Sequence, residues 1–542
     1  KEKKLVEIWS RVLAVDEEEI GIDTNFFDLG GNSLKAIVIS SKIHKIFAAK
    51  VMLVDIFKLQ TVRKLVECIG GAAHEEYSNI EPVETKEYYK LSSAQKRLYV
   101  LHQMETDSSG YNMPFNVVLT GDLDKKRLTK TFEKLLKRHE MLRTSFETVS
   151  SEPVQRINRL SHLEFSIEFH DTGEEKARKL VHDFVRPFDL SRAPLLRVAL
   201  IRVREANHAV LVIDMHHIVS DGISHQVLHR DFRSLYEGVA LPSLMIRYKD
   251  FSEWQNSKKE RQKLKQQEDF WLNELSGELP VLDIETDFPR PAAQSFSGAV
   301  ETFRIDKETT AALKNLARDE EVTLQMLLLA VFNVLLYKIS GQEDIIVGTS
   351  VAGRRHTALE GVIGMFANAL TLRNFPAGEK SFLEFLGEVG KNSIDAYENQ
   401  DVQFDELVGK ILTNRDAGRN PLFDVMFEIQ GFTAGSREKP AVDKEENRAV
   451  KLTPYEIGKK TTKIDLDWLG LETGNGLFFT VDYCTDLYKK ETIEKMIDRF
   501  KEVLHRVMAE RSVLLKDIVL SHDYREVKST ISTEDDGDFK FY

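Results

Sequence analysis

The sequence predicts a multidomain protein in which a small α-helical bundle precedes an α/β body of two lobes. Three observations lead there. The chain has 542 residues, too many for one core at roughly 100–200 residues per domain. Its apolar residues keep a purely helical spacing only over residues 1–70, after which helical and strand patterns alternate. Its composition, 42% hydrophobic and 30% charged, supplies enough apolar side chain to fill several cores.

Residues 1–70 carry the bundle. Leu5, Ile8, Trp9 and Val12 share one helix face, and Leu34, Ile37, Val38 and Ser41 a second. Val62, Leu65, Val66 and Ile69 form a third, with Thr61 as N-cap and Gly70-Gly71 as its end. Residues 71–90 are polar without a sustained period and read as a linker. Residues 91–268 and 269–525 then form the two lobes. The first holds a helix over Thr129–His139 and strands over Phe165–Phe169, Leu195–Arg204 and His208–His216, the last apolar enough to be buried on both faces. The second holds strands Ala299–Ile305, Asp344–Thr349 and Gly476–Tyr483 and helices Lys307–Ala317, Leu324–Tyr337 and Lys490–Met508. Residues 526–542 read as a flexible tail.

Composition excludes several function classes. A formal charge of −12 argues against nucleic-acid binding, which needs a basic face. The longest apolar run, Leu324–Ile339, is shorter than a membrane span and contains Gln325 and Asn333, so no membrane partner is expected. The two cysteines, Cys68 and Cys484, have no disulfide or metal-ligand spacing, and a cytoplasmic location fits them. The start, KEKKLVEIW, has no apolar leader and reads as part of a longer polypeptide.

Two segments carry chemistry. In Asp28–Lys35 (DLGGNSLK), glycines leave the Ser33 hydroxyl accessible at a helix start, although a serine there is also an ordinary N-cap. In Met215–Ser224 (MHHIVSDGIS), a buried strand runs out into paired histidines with an acid four residues on. Adjacent histidines on a strand point to opposite faces, so only one can enter a cleft, and a metal would need further ligands. Gly222 would let a substrate approach the backbone closely.

Asp28–Lys35, following NFF and EIWSRVLAVD, makes residues 1–70 resemble the peptidyl carrier domain of nonribosomal peptide synthetases. That resemblance implies that Ser33 carries 4′-phosphopantetheine through a phosphodiester. It also implies that Leu34, Met52 and Ile56 form a docking face beside it, core packing being the alternative. HHxxxDG is the signature of the condensation-domain superfamily, related to chloramphenicol acetyltransferase. Five further motifs of that family occur in order: Ser92–Leu101, Arg138–Phe146, Tyr248–Trp254, Ile363–Ala369 and Arg415–Asp424.

The second resemblance implies two acetyltransferase-like lobes with a tunnel between them. His217 would face the tunnel, His216 would pack behind the strand, and Asp221 would be salt-bridged to an arginine, Arg354 in preference to Arg138. The implied reaction is amide formation, an acceptor amine attacking a donor thioester. His217 orients the amine and accepts its proton, with full general-base catalysis as runner-up, and a backbone N–H near Gly222 stabilises the oxyanion. Asn368 and Arg419 border the tunnel, or else cap a turn and join the lobes; Trp254 and Trp271 are core anchors.

The intact histidine pair excludes a heterocyclisation domain. Within the family, GGNS speaks against an epimerisation domain, and the SDGIS ending and RNPLFD lean towards a condensation domain for an L-configured donor, with an epimerisation domain or a catalytically silent interaction platform as alternatives. A free coenzyme A-dependent acetyltransferase would leave Ser33 unexplained. Carrier-then-condensation order implies a bacterial module junction served by a phosphopantetheinyl transferase and an upstream adenylation domain. The acceptor carrier would lie beyond Tyr542, and the carrier at residues 1–70 is expected to move relative to the lobes.

Overall fold

The computed structural model describes the chain except residues 73–76, 105, 122–123, 205, 207, 413–415, 431–449, 455–460 and 522–542, and except the side chains of residues 34, 121 and 450–454. The tail expected at 526–542 lies outside the described residues.

Four helices, Glu2–Leu13, Ser33–Phe47, Leu53–Leu59 and Val62–Gly71, build the small domain. Leu5, Ile8, Trp9 and Val12 turn inward from the first, and Phe26 and Phe57 complete the centre. Thr61 caps the fourth helix by accepting the Lys64 N–H at 3.4 Å. Gly70 and Gly71 form the last turn of that helix rather than ending it. A glycine costs a helix only about 1 kcal/mol, and the buried face of Val62, Leu65 and Ile69 carries the turn along.

The first lobe is built on a five-stranded sheet, in the order Val450–Pro454, Asn112–Gly121, His208–His216, Leu196–Val203, Ile167–Thr172. His208–His216 is central, and every residue from Ala209 to His216 is buried. The expected helix at Thr129 begins earlier, at Lys125, because the Asp124 carboxylate caps it by accepting the Lys126 and Arg127 N–H groups. A three-stranded sheet, Tyr89–Lys90, Glu152–Ile157 and Thr144–Val149, completes the lobe.

The second lobe has six strands, in the order Asn368–Asn374, Ile345–Val351, Val425–Gln430, Leu466–Thr473, Gly476–Cys484, Gly298–Ile305. The helix Leu324–Ser340 is buried continuously from Met326 to Leu336. It contacts the sheet and the helices Phe382–Glu398 and Lys490–Ala509, which is why it is apolar all round. Among the described residues no single helix is long and apolar enough to cross a membrane.

The lobes are not simple sequence blocks. The boundary expected at 268/269 falls inside the helix Lys258–Glu274. The strand Val450–Pro454, from the second half of the chain, pairs antiparallel with Val117–Gly121 in the first-lobe sheet. The segment read as a linker is pinned to the body from residue 77 onward. Val83 N–H donates to Asp250, Ser78 Oγ to Glu260, and Tyr89–Lys90 pairs with Val154–Gln155.

Candidate functional site

Ser33 opens the helix Ser33–Phe47, but the cap is its neighbour: Asn32 Oδ1 accepts the Lys35 N–H at 2.9 Å. The serine hydroxyl is therefore not consumed as a cap. Its hydrogen-bond partner lies outside the small domain, Thr323 Oγ1 at 3.5 Å, at the N-cap of the helix Leu324–Ser340. Gly30 sits at φ +80°, where a side chain would be strained. A Cβ on Gly31 would lie 2.5 Å from the Phe26 ring. The two glycines thus fold the loop tightly under the serine. A hydroxyl at a helix N-terminus that is not used as the cap, where backbone N–H groups favour an anion, fits attachment of a phosphodiester, although in the seated carrier it is buried against Thr323.

Around Ser33 the small domain is seated on the second lobe. Asp28 pairs with Arg318 at 3.1 Å and Lys42 with Glu360 at 2.7 Å, and Leu53 N–H donates to Glu398. Tyr77 packs between His44 and His356, with ring centroids 5.2 and 4.8 Å away. A cavity of about 640 Å³ remains between the small domain, residues 77–78 and both lobes. Met52 is exposed at its rim, whereas Ile56 is fully buried in the core, so Ile56 is no part of a docking face. The Leu34 side chain lies outside those described.

The second constellation begins where strand His208–His216 stops. His217 is not turned away by strand alternation. It opens the short 3₁₀ turn His217–Val219, anchored by its own N–H donating to the Tyr111 carbonyl at 2.8 Å. His217 Nδ1–H donates to the Ser220 carbonyl at 2.7 Å. A carbonyl can only accept, so this bond fixes the tautomer and leaves the lone pair on Nε2. Burial, then the positive charge of Lys463, holds the imidazole well below its ordinary pKa, against the opposing Ser220 carbonyl and Asp221.

His216 is buried. Its Nδ1 accepts the Ile218 N–H at 3.1 Å, and its ring packs edge-on against His102 and Phe188. Burial pushes its pKa down to about 3. It is a neutral part of the packing.

Asp221 caps the helix Gly222–Tyr236 by accepting the Ser224 N–H at 2.7 Å. The same carboxylate takes Arg354 Nη1 at 2.7 Å, Arg354 Nη2 at 3.1 Å and the Phe366 N–H at 3.0 Å. Burial alone would raise its pKa, but the Arg354 charge and these hydrogen bonds hold it low. Arg354 also reaches Ser224 Oγ and the Val362 carbonyl and lies over the Phe366 ring, 4.0 Å from its centroid. Arg138 has no share in this frame: its Nε donates to Asp231 at 2.8 Å, beside His139 at 3.0 Å. The reason is topological, because Arg138 ends the helix Lys125–Arg138, which packs on the outer length of Gly222–Tyr236.

A Cβ on Gly222 would meet nothing within 4 Å. The N–H groups of Gly222 and Ile223 stand in the helix's first turn, where no intrahelical acceptor exists. Asn368 is fully occupied: it donates to the Gln400 and Val402 carbonyls and accepts from Ala369 and Phe404 N–H. It clamps a loop. Arg419 pairs with Asp424 and Asp416 within the second lobe. Trp271 is a core anchor whose Nε1–H donates to the Asn399 carbonyl at 2.7 Å. Trp254 is only half-buried and lines the 640 Å³ cavity.

Sequence reasoning missed Ser220, Ser224, Tyr111 and Phe366. Only Ser224 had a local signal, three residues after an Asp-Gly helix start; Ser220 and Tyr111 act through backbone carbonyls, which leave none, and Phe366 through its N–H and its ring under Arg354. Among the described residues no cluster of three or more His, Cys, Asp or Glu side chains could hold a metal.

Two family models cover the chain, "Phosphopantetheine attachment site" over residues 3–69 and "Condensation domain" over residues 85–527. The chain belongs to the condensation-domain family, with a carrier domain ahead of it. It is 42% identical over 521 residues to gramicidin S synthase 2 of Brevibacillus brevis, covering 95% of this chain and 11% of that protein. It is likewise 42% identical to bacitracin synthase 2 of Bacillus licheniformis, over 97% of this chain and 20% of that protein. The chain therefore spans a fifth or less of these curated relatives. The fold resembles the X-domain from teicoplanin biosynthesis, with TM-score 0.73 and 23% identity over 82% of this chain and 100% of that one. It also resembles a holo four-domain nonribosomal peptide synthetase bound to AMP and glycine, with TM-score 0.71 and 23% identity over 83% of this chain and 35% of that one. The pair is a carrier–condensation fragment of a nonribosomal peptide synthetase, an amide-bond-forming acyltransferase with a phosphopantetheine attachment site.

Proposed function

We propose that this fragment transfers an L-configured donor, tethered at Ser33, to the amine of an acceptor aminoacyl carrier. The observation that carries the reading is the hydrogen bond from His217 Nδ1–H to the Ser220 carbonyl, which presents Nε2 as a neutral proton acceptor. The 4′-phosphopantetheine group on Ser33 supplies a mobile thioester when bound. His217 then orients the attacking amine and accepts the proton that amide formation releases. An α-amino group has an ordinary pKa of about 7.7–8.0, so much of it is already neutral near pH 7, and positioning outweighs activation. The N–H groups of Gly222 and Ile223 meet negative charge developing on the acyl oxygen. Asp221, Arg354 and His216 hold this loop; Asn368, Arg419 and Arg138 act at a distance from it.

The intact HHxxxDG motif and the GGNS and RNPLFD sequences support the L-donor type. The partners of this reading are an upstream adenylation domain, a downstream acceptor carrier and a phosphopantetheinyl transferase, in a bacterial cytoplasm. A single-turnover assay tests it. The transferase and a peptidyl-coenzyme A load Ser33, a separately loaded aminoacyl carrier is added, and intact mass follows the peptide. Transfer to the acceptor, slowed in His217→Ala, is expected. Loading without transfer, together with a racemised donor residue, would instead mark an epimerase.

A further inference from the structure

Between the strand Ile345–Val351 and the 3₁₀ turn Thr357–Leu359, three consecutive basic side chains go to three different places. Arg354 turns inward to Asp221, beneath the histidine loop. Gly353, at φ +62°, lies so close to Phe366 that a Cβ there would meet the Phe366 carbonyl oxygen at 1.8 Å. Phe366 in turn gives its N–H to Asp221. Arg355 goes to the end of the helix Phe382–Glu398, its Nη1 donating to the Glu398 carbonyl and to Asp401, each at 2.9 Å. The Glu398 carboxylate stands 3.5 Å from Arg355 Nη2 and also accepts the Leu53 N–H of the carrier. His356 is buried. Its Nδ1 accepts the Ala358 N–H at 3.2 Å, and its Nε2–H donates to the Ser78 carbonyl at 3.2 Å. Its ring lies 4.8 Å from that of Tyr77, which reaches the carrier helix Ser33–Phe47 at the His44 ring and, at 3.3 Å, the Ser41 hydroxyl. The segment Gly353–His356 thus touches the frame under His217 and, by two routes, the carrier.

We propose that Arg355 and His356 are positioning residues that couple the seating of the carrier to the frame of the histidine loop. Coupling needs contiguous contacts and two discrete arrangements. Here the arrangements are the carrier seated and the carrier released. While it is seated, Glu398 and Tyr77 are each held from the carrier side, and the segment between them has less freedom to draw Arg354 away from Asp221. On release both lose that support at once. The effect is reciprocal: whatever factor seating contributes to the Asp221–Arg354 frame, an intact frame contributes to seating. Its consequence for transfer rests on the function proposed above; the coupling itself does not.

The test is hydrogen exchange in the whole fragment, followed in two segments. The one holding the Leu53 amide reports the seat, and the one holding the Phe366 amide reports the frame. Lys42→Glu with Arg318→Glu sets like charges against Glu360 and Asp28 and alters no residue of Gly353–His356. Exchange is expected to quicken in both segments, at Phe366 by roughly fivefold, the lower end of such couplings. In a background of Arg355→Met with His356→Ala, the same two changes should no longer move Phe366. A purely local structural role would shift that background without abolishing the response. Faster exchange at Leu53 with unchanged exchange at Phe366 overturns the proposal, and so does a Phe366 response that survives in the Arg355→Met, His356→Ala background. The first comparison stands even if that background does not fold. Should the charge reversals leave Leu53 protected, Tyr77→Ala with Glu398→Ala cuts both routes at the carrier end, and unchanged Phe366 exchange there also overturns the proposal.

Discussion

Replacing Arg354 by Met removes one partner of a pair whose side chains are only 5% and 2% exposed. The Asp221 carboxylate would keep its bonds from Ser224 and Phe366 N–H but lose two charged donors and its counter-charge. Leaving a buried charge unpaired costs about 3–5 kcal/mol, whereas replacing both partners costs far less. Arg354→Met should therefore be severe, and Arg354→Met with Asp221→Asn milder than the single change, a coupling on the order of 2 kcal/mol or more. The assay is local. Hydrogen exchange of the segments holding the Ser224 and Phe366 amides should accelerate by roughly two to nearly four decades in Arg354→Met, at 1.36 kcal/mol per decade. Transfer activity should fall in parallel and recover in part in the double variant. The reasoning fails if an Asp221 variant keeps wild-type exchange at both amides yet loses transfer more than a hundredfold. That outcome would put Asp221 in the chemistry instead of under it.

Gly31→Ala should destabilise the carrier by about 1–3 kcal/mol, because the added methyl meets the Phe26 ring at 2.5 Å and that ring is itself wedged against Trp9 at 5.4 Å; a lowered melting temperature of the carrier checks it. Reversing charge on the seat, with Arg318→Glu and Glu360→Lys, should speed modification of Ser33 by a phosphopantetheinyl transferase severalfold. Ser33 is only 9% exposed while seated, and an unchanged modification rate would show that the seat does not limit access.

What could be read in the chain was what lies close together in it. The strand His208–His216 announces itself through successive apolar residues, and Ser33 through the glycines before a helix. Arg354 and Arg138 show why the rest was hidden. Arg138 opens a recognisable motif and Arg354 precedes one, and nothing local distinguishes an arginine bound for Asp221, 133 positions away, from one bound for Asp231. Met52 caps and Ile56 lies within a helix of seven residues, too short for periodicity to tell a rim from a core. The strand Val450–Pro454 has only five residues, and its place in the other lobe's sheet is set by a chain crossover. The tautomer of His217 depends on a backbone carbonyl, and any residue at position 220 would have supplied one.

Magnitudes also decide which joint of this fragment can move. The lobes are tied beneath the histidine loop by a buried, bidentate pair with four further hydrogen bonds around it. Breaking that tie costs several kcal/mol, and it would carry away the loop that orients His217. The carrier is held by different means. In Asp28–Arg318 the side chains are 48% and 41% exposed, and in Lys42–Glu360 they are 21% and 52% exposed. Pairs of that kind contribute about 0.2–1 kcal/mol each and weaken with salt. With Ser33 covered by Thr323 in the seated carrier, release of the carrier before modification is the expected outcome, against exposed ion pairs of that strength and the Leu53–Glu398 hydrogen bond. The expectation is that the lobe junction outlasts any release of the carrier, its buried Asp221–Arg354 pair keeping the His217 loop in register.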